Sequence, residues 1–176
     1  MEKEVINSFV DKKVCIIGDT IIDIEYNCEA VGLSLETPTL KSKLINEVSI
    51  PGGAFGVYFN LNSLSDNCNF VSLSCGPESN SVFSEYFPST SLLKTFKDSE
   101  KLDNIKRRYW IKKGNERYKY FQLNSECKKP ISKKVEDEVI NYLKDFIKDF
   151  DTVVLTLFSL QILIIYFITF VVKNPH

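Results

Sequence analysis

The sequence predicts an α/β fold in which helices flank a parallel sheet and a smaller β-sheet projects from that core. Three observations support this prediction. A short apolar run at 13–18 ends in glycine, which is typical of a buried strand that enters a turn. An amphipathic helical pattern at 132–150 leads into a second apolar run, TVVLT, at 152–156. Two alternating segments, 105–111 and 118–123, flank a Lys-Gly-Asn turn and predict a hairpin.

The remaining elements follow in chain order. Residues 37–48 alternate apolar and polar side chains and predict a strand of the smaller sheet. A Pro-Gly-Gly sequence then precedes apolar residues at helical spacing, so a helix is expected at 53–65. Residues 69–75 alternate as a half-buried strand. Ser132 is the expected cap of the helix at 132–150.

Composition limits the size class of the protein, the catalytic groups that it can use and the partners that it can attract. The 176 residues are 44% apolar and 26% charged, with a net charge of -1, which fits one globular domain or part of a larger one. The only histidine is His176, so no internal imidazole is available for catalysis or metal binding. The near-neutral charge argues against a surface built to attract nucleic acid, and we expect no nucleic-acid partner.

The cysteines predict a reducing compartment. There are five, an odd number, with no Cys-x-x-Cys pair and no secretory signal before them. Scattered thiolates with no histidine nearby make a poor zinc site, so we expect no bound metal. The expected location is the cytoplasm.

The composition changes at Asp151. No acidic residue follows this position, and only Lys173 is formally charged beyond it. The uncharged run at 152–172 is long enough to cross a bilayer as a helix. It is also rich in β-branched and aromatic residues, and it begins with a segment typical of a buried parallel strand. The sequence leaves both interpretations open.

Three motifs follow one another in the first third of the chain. They are VCIIGDTIID at 14–23, SLETPT at 34–39 and PGGAFGVYFNL at 51–61. Together they resemble the ribokinase-like (PfkB) carbohydrate kinases. The closest resemblance is to the branch that contains the kinase domain of D-glycero-D-manno-heptose 7-phosphate kinase and ADP-heptose synthase. The resemblance covers residues 12–156 and corresponds to the N-terminal half of the family's kinase domain.

The resemblance implies how the chain is organised. Residues 1–156 are expected to form the N-terminal part of a kinase domain, a ribokinase-like parallel sheet with flanking helices. A small β lid is expected at about 20–50 and 104–124. Residues 157–176 form an apolar tail outside the family pattern, so we expect a truncated fold.

The resemblance also implies a binding site for a sugar or a sugar phosphate. A carboxylate accepts hydroxyl protons of a polyol, and Asp23 is expected at the end of the first strand, at the carboxyl edge of the sheet. Gly52 and Gly53 allow the backbone to approach the sugar beside a helix N-terminus. Arg108 is similar in place to a basic lid residue that can meet a sugar phosphate.

One position departs from the family pattern. Gly56 stands where the family usually has asparagine, which removes one expected hydroxyl contact. Asn60, one helical turn further along, is the candidate replacement. The predicted substrate-binding set is Asp23, Gly52, Gly53, Arg108 and Asn60.

The motifs of phosphoryl transfer are missing from the sequence. The family transfers phosphate from ATP with the help of Mg²⁺, using a G-A-G-D motif whose aspartate is the base and whose glycine amides hold the developing charge. Here no glycine follows Gly114 and no acidic residue follows Asp151. We therefore expect no catalytic residue, no effective binding of ATP or Mg²⁺, and no kinase activity from this chain alone.

Three hypotheses about function follow. The first is a carbohydrate-kinase-like protein that keeps the sugar-binding half and forms a homodimer through its lid. The alternative is a membrane-tethered sugar-binding module with a transmembrane helix at 152–172. The third is binding of single-stranded nucleic acid through the basic and aromatic residues of 101–119. It is not favoured, because a lid hairpin already accounts for those residues.

Overall fold

The computed structural model describes residues 9–74, 76–87, 92–126 and 129–156. Three strands precede the first helix, strand and helix then alternate as far as the fifth strand, and a helix precedes the last strand. The strands are β1 (Val14–Gly18), β2 (Thr20–Leu33), β3 (Leu40–Gly52), β4 (Cys68–Ser74), β5 (Leu93–Lys97), β6 (Asn104–Lys113), β7 (Glu116–Ser125) and β8 (Thr152–Thr156). The helices are α1 (Gly53–Asn62), α2 (Pro77–Tyr86) and α3 (Lys133–Phe146), and a 3₁₀ turn follows at Ile147–Asp149.

The first sheet is parallel throughout, with the strand order β5-β4-β1-β8. β1 is buried at every position, as its apolar sequence predicts. β4 is more buried than its alternating sequence predicts, and Asn69 is its partly exposed position within 68–73. The reason is that helices cover both faces of this inner strand. The TVVLT segment forms β8, in agreement with the strand interpretation of its sequence, and pairs with the other side of β1.

Alternation along β1 divides the apolar side chains between two cores. On one side, Ile16 packs with Phe55 of α1 and with residues of α2. On the other side, Ile17 packs with Val139 of α3. Phe55 is 0% exposed and lies at the centre of the first core. Its ring meets those of Tyr58, Phe70, Phe83, Tyr86 and Phe87.

A second, mixed sheet has the strand order β3-β2-β6-β7, and we call it the second sheet. β2 pairs antiparallel with β3 and parallel with β6, and β6 forms the predicted hairpin with β7. Gly114 turns that hairpin with a φ of 61°, a conformation that glycine adopts without strain. The pairing register shifts between Asn27 and Cys28 and again between Tyr109 and Trp110, so the sheet is irregular at both places.

The base of the second sheet is packed into the first core. Ile22 and Ile24 of β2 and Ile105 of β6 are buried in the same cluster as Phe55. Only Asp19 separates β1 from β2, so the chain passes directly from one sheet into the other. The two sheets therefore share one apolar core at their junction.

Asp98, just after β5, fixes the start of α3. Its side chain is 2% exposed, and its carboxylate accepts hydrogen bonds from the backbone N–H groups of Ser132 at 2.8 Å and Glu100 at 3.1 Å. Burial alone would raise the pKa of Asp98, but these amides, the Ser132 hydroxyl and Lys101 favour its charged form more strongly. The pKa of Asp98 therefore lies below its ordinary value.

We expect Asp98→Asn to lower the free energy of unfolding by about 2 kcal/mol at neutral pH. The two amide donors lose a charged acceptor, and the buried Lys101 loses a neighbouring opposite charge. A carboxylate with a depressed pKa contributes stability above its unfolded-state pKa of about 4. That contribution is lost as the pH falls through the folded-state pKa. Urea unfolding at about pH 7 and about pH 3 measures this contribution. Between these two pH values, the free energy of unfolding should fall less in the variant than in the wild type.

Asp137→Asn is the matched control for this prediction. Asp137 lies on α3 and forms a surface ion pair with Lys133 at 3.0 Å. Exposed pairs of this kind contribute little, so the expected change is below about 0.5 kcal/mol. Equal losses in the two variants would contradict the role assigned to Asp98.

The uncharged segment that begins at 152 starts as a strand. Thr152–Thr156 form β8 and pair with β1, so these residues lie in a sheet and not in a helix. Residues 157–172, the remainder of the predicted transmembrane segment, lie outside the described residues. Within the described part of the chain, no helix has both the length and the apolar character needed to span a membrane.

Candidate functional site

Asp23 lies in β2 of the second sheet, and not at the end of a strand of the parallel sheet as the sequence predicts. β1 ends at Gly18, and Asp19 takes the position at its carboxyl end. The prediction was wrong because the β-branched residues after Asp19 continue in extended backbone instead of entering a loop. Asp23 pairs in register with Ile50 of β3 and with Lys106 of β6. Its carboxylate therefore belongs to a face of the second sheet.

Gly52, the last residue of β3, lies directly against Asp23. A Cβ atom on Gly52 would come 2.7 Å from Oδ2 of Asp23 and 3.1 Å from the carbonyl oxygen of Ile21. The backbone is extended here, with a φ of -127°, so glycine is required for the close approach and not for its conformational freedom. Gly52 thus allows the carboxylate and the backbone before α1 to meet.

Gly53 anchors the first turn of α1 to the junction between the two sheets. Its φ is 59°, and a Cβ atom there would lie 2.7 Å from the carbonyl oxygen of Asp19. That same carbonyl accepts a hydrogen bond from the backbone N–H of Ala54 at 3.0 Å. Both the left-handed backbone and the close carbonyl favour glycine at this position. The start of α1 is therefore held next to Gly52.

Arg108 reaches the carboxylate of Asp23 from β6. Its Nη1 lies 2.7 Å from Oδ1 of Asp23, and the two side chains are 23% and 21% exposed. Oδ1 has no hydrogen-bond partner of good geometry in the described part of the chain, so this is an ion pair without an aligned hydrogen bond. Arg108 pairs in register with Glu25, so its side chain reaches back diagonally along the sheet. The structure thus brings Asp23, Gly52 and Arg108 together.

The same face carries a second charged pair that the sequence analysis missed. Nη2 of Arg117 on β7 lies 2.9 Å from Oε2 of Glu25 and donates a hydrogen bond to Oδ1 of Asn27 at 2.8 Å. The guanidinium carbon of Arg117 also lies 4.1 Å from the ring centroid of Trp110. Polar side chains at alternate positions of β2, 23, 25 and 27, were the signal that could have revealed this row.

Asn60 is not brought to this cluster. It is exposed near the end of α1, and at about 1.5 Å per residue it lies about 10 Å along the helix from Gly53. Its backbone carbonyl accepts a hydrogen bond from the hydroxyl of Ser63 at 2.6 Å. Gly56, where the family usually has asparagine, lies in the first turn of α1, and a Cβ there would be 3.1 Å from the carbonyl oxygen of Pro51.

Poor binding of ATP and Mg²⁺ stays a prediction from the sequence. Within the described ranges, no group of three or more His, Cys, Asp or Glu side chains is arranged to hold a metal ion. No glycine follows Gly114 in the sequence. No catalytic step through ATP or magnesium follows from these residues.

The fold, a parallel sheet with helices on its two faces, is similar to that of solved carbohydrate kinases, which confirms the predicted α/β fold class. Among solved structures, the chain is similar to phosphofructokinase-2 from Escherichia coli in complex with fructose-6-phosphate. The TM-score is 0.52, and the identity is 11% over 81% of this chain and 45% of that chain. The chain is also similar to a carbohydrate kinase from Agrobacterium tumefaciens, with a TM-score of 0.50 and 13% identity over 82% of this chain and 45% of that chain.

These similarities establish the fold alone, because sequence identity is low and one fold can serve many functions. The chain spans less than half the length of the two solved structures. No family model matches the sequence, and no curated protein matches it in sequence.

Proposed function

We propose that this chain binds a sugar phosphate through Asp23, Gly52, Gly53 and Arg108, as the substrate-binding part of a carbohydrate-kinase-like protein. One observation carries the proposal. The guanidinium of Arg108 and the backbone at Gly52 approach the two oxygens of a single carboxylate, that of Asp23. A fold shared with carbohydrate kinases supports the same function.

The chemistry of these groups suits a phosphorylated polyol. A carboxylate such as that of Asp23 accepts hydrogen bonds from sugar hydroxyls, and charge makes those bonds stronger than neutral ones. The planar guanidinium of Arg108 can donate two parallel hydrogen bonds to a phosphate. Gly52 has no side chain, so its backbone lies directly against the carboxylate of Asp23. Asn60 is outside the proposed site because of its distance along α1.

We propose a heptose phosphate as the preferred ligand. The support is the resemblance of the three sequence motifs at 14–23, 34–39 and 51–61 to the heptose-phosphate branch of the family. The solved phosphofructokinase-2 structure holds a different sugar phosphate, fructose-6-phosphate. That compound is therefore the natural comparison ligand for binding experiments.

We further propose that these 176 residues bind the sugar without transferring phosphate. Transfer in the family uses an aspartate base and glycine amides, and the sequence has no acidic residue after Asp151 and no glycine after Gly114. ATP and Mg²⁺ are expected to bind poorly for the same reason. Purified chain should release no ADP above the blank when offered ATP, Mg²⁺ and a sugar phosphate.

Calorimetric titration of the full chain with heptose 7-phosphate and with fructose-6-phosphate tests the binding proposal. We expect Asp23→Asn to weaken binding by about tenfold or more, because a neutral amide is a poorer acceptor for hydroxyls. Gly52→Ala should act in the same direction, since its methyl group would displace the carboxylate of Asp23. In each variant, the loss of binding free energy should exceed the loss of free energy of unfolding.

Glu25→Gln is the matched control for Asp23→Asn. Glu25 is the next carboxylate on the same strand and face, and it is paired with Arg117. Binding to this variant should stay within about twofold of the wild type, a difference of about 0.4 kcal/mol. Failure of the wild-type chain to bind either sugar phosphate would overturn the proposal, as would equal losses in the two carboxylate variants.

The proposed partner, beyond the sugar, is a second copy of this chain. The face of the second sheet opposite Asp23 exposes the apolar side chains of Leu44, Tyr118, Phe121 and Leu123. Pairing of two such faces would remove them from water. Sedimentation velocity distinguishes this homodimer from a monomer.

We propose the cytoplasm as the location of the protein. Cys15, Cys28 and Cys68 are buried free thiols, which suits a reducing compartment. Burial raises the pKa of Cys15 to about 12, so its thiol is held in the unreactive form. These cysteines therefore act as small apolar core residues.

A further inference from the structure

We infer that the ion pair between Asp23 and Arg108 is an internal competitor for the ligand, and that an anionic group on the ligand is needed to displace it. This inference rests on the proposed function and explains why the site would select phosphorylated sugars over neutral ones. A neutral sugar must compete with Arg108 for the carboxylate of Asp23. A phosphate group takes Arg108 for itself and leaves that carboxylate free for hydroxyls.

Oδ1 is the oxygen of the Asp23 carboxylate that Arg108 occupies in this structure. Oδ1 lies 2.7 Å from Nη1 of Arg108. Oδ2 faces Gly52 so closely that a Cβ atom would come within 2.7 Å of it. A sugar hydroxyl can therefore reach Oδ1 only after Arg108 has moved.

The ion pair is suited to exchange. Nη1 and Oδ1 are close in distance but are not aligned as a hydrogen bond, so the contact lacks the directional part of a charge-assisted bond. About a fifth of each side chain is exposed, so an incoming anion can approach the guanidinium from solvent. A phosphate dianion carries more charge than a carboxylate and can accept two parallel hydrogen bonds from arginine. Exchange of Asp23 for phosphate is therefore favourable for Arg108.

Arg117, on the same face of the second sheet, differs from Arg108 because several partners hold its guanidinium in place. Its guanidinium is held by an ion pair to Glu25, by two hydrogen bonds to Asn27 and by the ring of Trp110. In the described part of the chain, Arg108 has one ion-pair partner, Asp23. Arg108 is therefore the guanidinium that can change partners, and Arg117 is its internal control.

This exchange makes an anion and a neutral sugar bind cooperatively. An anion on Arg108 frees Asp23, so it raises the affinity for the sugar, and by reciprocity the sugar raises the affinity for the anion. A sugar phosphate carries both groups in one molecule. Selectivity for phosphorylated sugars then has two sources, because phosphate binds Arg108 directly and a neutral sugar must first break the ion pair.

The first experiment titrates the wild-type chain with fructose, with and without inorganic phosphate, using sodium chloride at equal ionic strength as the control. We expect phosphate to tighten fructose binding by about fivefold or more, while chloride leaves it unchanged. The same titration in Arg108→Gln should show no effect of phosphate. An unchanged fructose affinity in the wild type with phosphate would overturn the inference.

The second experiment compares Arg108→Gln with Arg117→Gln, each titrated with fructose and with fructose-6-phosphate. We expect Arg108→Gln to bind fructose more tightly than the wild type does and to bind fructose-6-phosphate more weakly. If Arg108 were only a phosphate ligand, the affinity for fructose would stay the same, and that result would also overturn the inference. Arg117→Gln should leave the ratio of the two affinities unchanged.

The two proposals fail in different ways. Absence of binding of both heptose 7-phosphate and fructose-6-phosphate by the wild-type chain would overturn the proposed function and this inference together. Normal fructose-6-phosphate binding, with no increase of fructose affinity in Arg108→Gln, would leave the proposed function standing and reject the competition by Arg108. Circular dichroism of each variant establishes that a loss of binding is not a loss of fold, and the phosphate experiment on the wild type needs no variant.

Discussion

Replacement of Phe55 by alanine is expected to remove about 3–5 kcal/mol of stability, a large fraction of the about 5–15 kcal/mol that a folded domain possesses. Phe55 is fully buried, and its ring contacts the aromatic side chains of α1, α2 and β4. Truncation would leave a cavity at the centre of the first core. Urea unfolding, followed by circular dichroism and by the fluorescence of Trp110, the single tryptophan, measures the loss.

The two probes should report one transition in this experiment. The base of the second sheet lies in the core that Phe55 fills, so loss of that core should release Trp110 at the same denaturant concentration as the helices. Phe59→Ala on the same helix is the control, because Phe59 is 53% exposed and should lose less than about 1 kcal/mol. Separate transitions, or equal losses at the two positions, would contradict the shared core.

Gly18→Ala is expected to cost about 3 kcal/mol, at the upper end of the range for overpacking a core. A Cβ atom on Gly18 would overlap the backbone carbonyl oxygen of Thr156 in β8 and lie 2.8 Å from the Cβ of Ala54 in α1. Neither neighbour is the free end of a flexible side chain, so β8 or α1 must move away from β1. The change therefore disrupts the packing of β1 against β8 and α1.

Hydrogen exchange measures that damage locally. The peptide that contains Thr152–Thr156 should exchange its amides faster in Gly18→Ala, because the pairing of β8 with β1 is weakened. Gly56→Ala is the control: its methyl group would meet the carbonyl oxygen of Pro51 at 3.1 Å, and alanine is favoured by about 1 kcal/mol over glycine in a helix. Its stability should stay within about 1 kcal/mol of the wild type. Protection of β8 equal to wild type in Gly18→Ala would argue against this packing.

Most of the parallel sheet could be predicted from the sequence, because its strands and helices have strong periodic patterns. β1, α1, α3 and β8 follow from apolar runs or helical spacing. α2 was missed, because its sequence, PESNSVFSEY, is mostly polar and its first turn is fixed from a distance. The carboxylate of Asp103 accepts hydrogen bonds from the backbone N–H groups of Glu78 and Ser79, and no local pattern reveals such a contact.

The candidate site was predicted in its composition and less well in its geometry. Asp23, Gly52 and Arg108 were singled out by motif, and they lie together. Asp23 was placed on the wrong element, because a strand that runs on after a single intervening residue looks like a strand ending in a turn. The ion pair itself was not predicted, since it joins strands that are far apart in sequence, and spacing along one strand carries no information about its neighbour.

The shared core at the root of the second sheet limits where the molecule can bend. The inner part of that sheet is packed into the first core by Ile22, Ile24 and Ile105. Asp23 therefore lies on a part of the sheet that is fixed to the core. The pairing register shifts after Asn27 and after Tyr109, further out along the second sheet, and such irregularities bend and twist strands locally. We therefore expect any closing motion over a bound molecule to bend the outer part of the second sheet, beyond Asn27 and Tyr109, while Asp23 stays in place.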